Sequence, residues 1–238
     1  MAISITTTAE LARTQGVNIL VYGAAGSGKT MACATLPNPI ILSAEAGLLS
    51  LKNLAVPSIR ITCWADFEEA YQFILQSAEA NAYDSICIDS ISEIATICYE
   101  LHESQNKNPN DKWSAFGNMA NDIIKKMREF RDLPKNVYVS AKQEYTKDEG
   151  TGVLHYAPSC LGKKIGNELP YQFDEVFCLR VEEGEKGIEH MLQTRSDSKH
   201  VAKDRSGVLE AFEPVDLGQV INKILRPKKQ GAKNGNSN

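Results

Sequence analysis

Val17-Asn-Ile-Leu-Val-Tyr22 runs directly into Gly23-Ala-Ala-Gly-Ser-Gly-Lys-Thr30, and this stretch decides the fold. The apolar run reads as a buried strand. The turn after it fits G-x-x-x-x-G-K-[ST] at every position and leads into a helical segment. Gly23, Gly26 and Gly28 let backbone N–H groups face inward around phosphates, with Ala24, Ala25 and Ser27 completing the turn. The helix N-terminus adds partial positive charge. Lys29 is placed to reach β- and γ-phosphates, and the Thr30 hydroxyl to ligate Mg²⁺. The bland alternative is a glycine-rich turn that merely carries Lys-Thr. The strand before it and the helix after it speak for the phosphate reading.

Further short apolar runs follow: Pro39–Ser43, Ser58–Thr62, Ser85–Asp89 and Asn136–Ser140. Helical periods separate them. Trp64, Phe67, Tyr71, Ile74, Leu75 and Ala78 recur at three- and four-residue steps, as do Met119, Ile123, Ile124, Met127 and Phe130. Alternating strands and helices predict a mostly parallel α/β sheet with helices on its faces. Phe173–Val181 and Ile188–Thr194 flank a polar turn and predict an antiparallel hairpin at the C-terminal side. Val215 to Leu225 fits a last helix. Residues 1–226 are expected to form one domain, and 227–238, basic and rich in Gly and Asn, a disordered tail.

A phosphate turn of this kind needs an acidic group to hold its metal. Asp89 ends Ile86-Cys-Ile88, the form such a strand takes, although an Asp capping the next helix would look the same. Hydrolysis also needs a group that polarises water. Ser90 stands where many ring ATPases carry a Glu, and Glu93 is expected inside a helix, turned away. Glu45 follows a strand end within Ser43-Ala-Glu-Ala-Gly47, where ligands of such sheets collect. It would reach the γ-phosphate if its strand neighboured the strand of the turn. A surface Glu in a first helical turn is the alternative.

These elements resemble the RecA-like ATPases. The chain carries Gly23–Thr30, Ser43-Ala-Glu45, Ile88-Asp-Ser90 and Ser140-Ala-Lys-Gln143 in that family's order. The resemblance implies a RecA-like P-loop NTPase core, ATP with Mg²⁺ as ligand, Glu45 as the base and Gln143 as a γ-phosphate sensor coupled to DNA. More narrowly, Pro158, Gly162-Lys-Lys164, Leu169-Pro170, Phe173-Asp-Glu-Val176 and Ala202-Lys-Asp-Arg205 are similar to compact phage recombinases that anneal single strands. That likeness implies single-stranded DNA, a homo-oligomeric ring or filament and a single-strand-binding protein as partners. It also implies that Lys203 or Arg205 acts in a neighbour's ATP site. A surface pair of Arg205 with an Asp is the alternative.

Two segments match the DNA loops of that family in position. One runs from Ser104 to Asn118 with Lys107, Lys112, Trp113 and Phe116. The other runs from Gln143 to about Tyr171 with Lys147, Tyr156, Lys163 and Lys164. Charge beside aromatic faces suits single strands. Trp113 could equally anchor its loop to the core. A replicative helicase or helicase loader, a nucleotide-dependent scaffold without DNA binding and a small-molecule kinase stand as rival readings.

Composition narrows the field. The chain has 238 residues, 42% hydrophobic and 24% charged, with a formal net charge of −4. This is ordinary for a globular protein and leaves any DNA contact to local patches. No apolar stretch is long enough for a membrane helix, and the first residues do not read as a secretory signal, so a cytoplasmic location is expected. The six cysteines are scattered and expected to be reduced and buried. The four histidines offer no zinc-ligand spacing.

Overall fold

The computed structural model describes residues 5–7, 15–45, 47–108, 111–184 and 187–226. The expected basic tail lies outside these residues. Ten strands share one sheet: β1 (Asn18–Gly23), β2 (Pro39–Ser43), β3 (Ser58–Arg60), β4 (Ser85–Asp89), β5 (Asn136–Lys147), β6 (Leu154–Ser159), β7 (Glu175–Gly184), β8 (Gly187–Gln193), β9 (Lys203–Asp204) and β10 (Phe212–Pro214). The path is β10-β8-β7-β1-β5-β4-β2-β3, with β6 on β5 and β9 on β7. Every pairing from β7 to β3 along it is parallel. Those of β8, β10, β6 and β9 are antiparallel. The expected hairpin is therefore present as β7–β8, with β7 itself beside β1 in the parallel core.

Two-residue alternation sorts the strands onto two cores. Leu20, Tyr22, Ile86, Ile88, Val137 and Val139 face α2 (Trp64–Gln76), α3 (Ile91–Gln105) and α4 (Lys112–Arg131). Ile19, Val21, Cys87, Tyr138 and Phe177 face α1 (Lys29–Cys33) and α6 (Leu217–Leu225). Both faces of the central strands are buried, which is why they read as unbroken apolar runs. Asp111 caps α4 by accepting from Ser114 N at 3.1 Å, and Asp216 caps α6 through Gln219 N at 2.9 Å. α5 (Lys163–Glu168) follows β6.

Several expectations change. The first DNA segment is mostly helix: α3 continues to Gln105 and α4 starts at Lys112, so only a short link joins them. The second is a hairpin, because β5 continues through Lys147 and returns as β6. Cys63 is exposed, although the other five cysteines are buried and all six are free. Among the described residues no helix is long and apolar enough to cross a membrane.

One buried acid makes stability depend on pH. Glu175, 1% exposed, opens β7, and among the described residues its Oε2 has no hydrogen-bond partner. Burial, then the nearby Asp204 carboxylate, push its pKa from 4.5 up to about 8. The folded state therefore holds a proton that the unfolded chain releases at lower pH. Its stabilisation is complete below about 4.5 and is lost as pH rises toward 8. The expected slope is at most about 1.4 kcal/mol per pH unit within that window. Urea midpoints across the window should fall in the wild type and stay flatter in Glu175→Gln. Equal slopes would clear this carboxyl of the effect.

Candidate functional site: a nucleotide cleft

The turn Gly23–Thr30 closes the carboxyl end of β1, and α1 begins at Lys29. Gly26 and Gly28 have φ of 76° and 104°, conformations that a side chain would strain. A cavity of about 560 Å³ opens over the turn. Its walls are the turn, Glu45, Gly47 and Ser50 from the segment after β2, and Lys142 and Gln143 of β5.

Lys29 Nζ donates to the carbonyl oxygens of Gly23 at 2.8 Å and Ala24 at 2.9 Å. Burial lowers its pKa, with Glu45 and Asp89 pulling it back up. Tyr138, from β5 beneath the turn, donates its hydroxyl to Lys29 O at 2.8 Å. Asp89 is 2% exposed. Its carboxylate accepts from Thr30 Oγ1 at 2.7 Å and from Ser140 Oγ. The Asp89 side chain therefore does not cap α3, whose N-cap is Ser90. The Asp89–Ser90 peptide is cis. Ser90 Oγ donates to Glu45 Oε1 at 2.5 Å.

A magnesium-bound triphosphate fits these residues. The turn offers two glycines at positive φ, an ammonium, and a hydroxyl already touching a buried carboxylate. Thr30 and Asp89 would hold the metal, and the turn with Lys29 would hold the phosphates.

The expected neighbour relation behind Glu45 is not the one found. β2 pairs with β4, and both β4 and β5 stand between it and β1. Glu45 still lines the cavity, because β2 ends level with Asp89 (Ser43 pairs with it) and the backbone N–H groups of Ala44 and Glu45 donate to Asp89 O. Glu93 is not turned away: it pairs with Lys142 at the cavity wall and raises the pKa of that lysine.

Two contacts were missed in the sequence. Lys142 carries charge into the cavity. His190, on β8, places Nδ1 2.8 Å from Ser27 O. Since a carbonyl only accepts, His190 donates from Nδ1. An isolated His in a hairpin gives no sequence signal of this kind.

Gln143 also borders a second cavity of about 570 Å³, with Tyr156, Arg180, Lys199 and His200 on its walls. Tyr156 stacks on His200 with centroids 4.9 Å apart. Above it the β5–β6 hairpin exposes Tyr145 and Lys147. Lys107 is exposed in the α3–α4 link, and Lys112 and Trp113 are exposed on the first turn of α4. Trp113, 85% exposed, anchors nothing. Lys163 and Lys164 open α5, with side chains outside what the structure describes.

Lys203 and Arg205 lie at the opposite end of the sheet from the turn of their own chain, because β9 pairs with the first residues of β7. Lys203 Nζ donates to Pro170 O at 2.8 Å and Phe173 O at 2.5 Å. Arg205, exposed, pairs with Asp174 at 2.6 Å.

No curated protein sequence matches. Among solved structures, the chain is similar to a KaiC-like protein from Pyrococcus horikoshii OT3, at 12% identity over 77% of this chain and 80% of that one, TM-score 0.39. It is similar to an ATPase of the type III secretion system of pathogenic bacteria, at 14% identity over 74% and 55%, TM-score 0.48. It is also similar to flagellar accessory protein FlaH from Methanocaldococcus jannaschii, at 11% identity over 84% of each chain, TM-score 0.44. A family model described as an AAA domain matches residues 15–206. The phosphate turn on β1, β5 interposed before the Asp89 strand, and this match give a RecA-like P-loop NTPase fold. The chain belongs to the AAA domain family.

Proposed function

We propose that this protein is an ATPase that binds ATP with Mg²⁺, assembles with copies of itself, and uses its nucleotide state to control binding of single-stranded DNA, in the service of strand annealing. The observation that carries the reading is the position of Gln143. It borders both the nucleotide cleft and the second cavity, at the root of the β5–β6 hairpin. A side chain shared by two sites can favour one arrangement of the hairpin with nucleotide and another without, which is the differential affinity that coupling requires.

The residues divide the work. Glu45, held by Ser90, accepts the proton of the attacking water. Lys29 and the turn hold the phosphates. Tyr145 and Tyr156 offer faces for bases, and Lys147 and Lys199 offer charge for phosphates. Arg205, at the amino end of the sheet, would reach the cleft of the next copy in a head-to-tail assembly, exchanging Asp174 for phosphate.

A labelled oligonucleotide titrated at several salt concentrations, with and without ATP, tests the DNA reading. Binding should tighten with ATP and weaken steeply with salt. Tyr145→Ala should weaken it by roughly 5- to 100-fold. Turnover measured in the same samples should rise with protein concentration and with DNA. An oligonucleotide that stays unbound at low salt in both nucleotide states overturns the DNA reading and favours the scaffold. Duplex unwinding would favour the helicase.

A further inference from the structure

α3 and α4 bring together Cys98, His102 and Asp122, none of which lines the nucleotide cleft. Cys98 and His102 are one helical turn apart on α3 and share a face. Asp122 faces them from α4. Sγ of Cys98, a ring nitrogen of His102 and a carboxylate oxygen of Asp122 lie within 4.8 Å of one another. His102 Nε2 is 2.8 Å from Asp122 Oδ2. Cys98 is fully buried. Among the described residues its thiol makes no hydrogen bond, whereas Cys33, Cys160 and Cys178 donate to Lys29 O, Ile91 O and Gln143 Oε1. A buried, unpartnered sulfur aimed at an imidazole–carboxylate pair is what a soft-metal site needs before the metal arrives.

We propose that Cys98, His102 and Asp122 form a site for a borderline-soft divalent cation of the Zn²⁺ class, which staples α3 to α4. Sulfur and imidazole select such ions over Mg²⁺. Bonds of about 2.0 Å to nitrogen and oxygen and about 2.3 Å to sulfur place these tetrahedral ligands roughly 3.3–3.5 Å apart. The three atoms need only small movements to reach that spacing. The His102–Asp122 pair opens slightly, and the Asp122 side chain, 43% exposed, has room to yield. On binding, the thiol proton leaves to solvent, and the ring proton of His102 passes through solvent from Nε2 to Nδ1 so that Nε2 ligates. Water takes the fourth position. α3 starts immediately after Asp89, so the staple would also stiffen the helix that follows the metal-holding strand of the nucleotide cleft.

Co²⁺ is the probe, because a thiolate bound to it gives a near-ultraviolet charge-transfer absorption that oxygen ligands cannot give. The untagged full chain, in excess Mg²⁺ to fill oxygen sites, is titrated with Co²⁺. The band should saturate at one equivalent and be displaced by Zn²⁺. It should survive Cys63→Ser, which removes the exposed thiol, and vanish in Cys98→Ala. His102→Gln and Asp122→Asn should weaken affinity by about 10-fold or more. These two sites are partly exposed and keep the test alive if Cys98→Ala does not fold. Zn²⁺ should raise the melting temperature of the wild type and leave His102→Gln unmoved. A wild type without the band, a band lost in Cys63→Ser, or one indifferent to His102→Gln overturns the site.

Discussion

Lys29→Ala is expected to lose ATP binding, with affinity falling by roughly 10- to 100-fold or more. The ammonium lies between two carbonyls of the turn and beside the Asp89–Thr30 pair. From there it can exchange backbone acceptors for phosphate oxygens without leaving its place. Alanine removes the charge and leaves those acceptors facing the cleft. α1 begins at this residue and is seated by Tyr138 through a backbone oxygen, so the turn should survive the change. Fluorescent ATP binding and far-ultraviolet circular dichroism check both halves. A folded Lys29→Ala protein that binds ATP as the wild type does would show that the turn does not cradle phosphates.

Glu45→Gln should behave in the opposite way, binding ATP within about twofold of wild type while turnover drops by about 10²- to 10⁴-fold. The glutamine keeps a carbonyl oxygen for the Ser90 hydroxyl, so its position is retained. It cannot take a proton. Single-turnover hydrolysis isolates the chemical step from product release. Full turnover in Glu45→Gln would take the role of base away from this residue and direct attention to Glu93, whose Lys142 partner stands on the same wall.

The phosphate turn was legible because its chemistry is local: the glycines, Lys29 and Thr30 are contiguous, and their strand and helix are their neighbours in sequence. Asp89 was legible for the same reason. Glu45 lines the cleft although its strand does not neighbour β1. Apolar alternation marks strands without giving their order, and β4 and β5 intervene where adjacency was expected. The two segments expected as loops are helix and hairpin, because polar sequence does not by itself mean irregular backbone. Lys112, Trp113 and Ser114 are exposed because the first turn of α4 lies at the surface, while Ala115 on the same helix is buried. Thr146 and Lys147 are polar because β5 extends past the helices that cover its first half. His190 meets the turn from a distant strand, and Asp122 meets the Cys98–His102 pair from another helix, so no spacing along the chain announces either contact.

The hairpin's alignment has a chemical meaning. His190 reaches Ser27 because Val181 lies opposite it on β7, and every second residue of β8 shares that face. A slip of one position would swing either Glu189 or Met191 toward the turn. The first would set a negative group against incoming phosphates, and the second would leave the Ser27 carbonyl without its donor. The outer strands thus act as a jig: they line none of the cleft, yet their registration decides which side chain backs the Ser27 carbonyl of the turn.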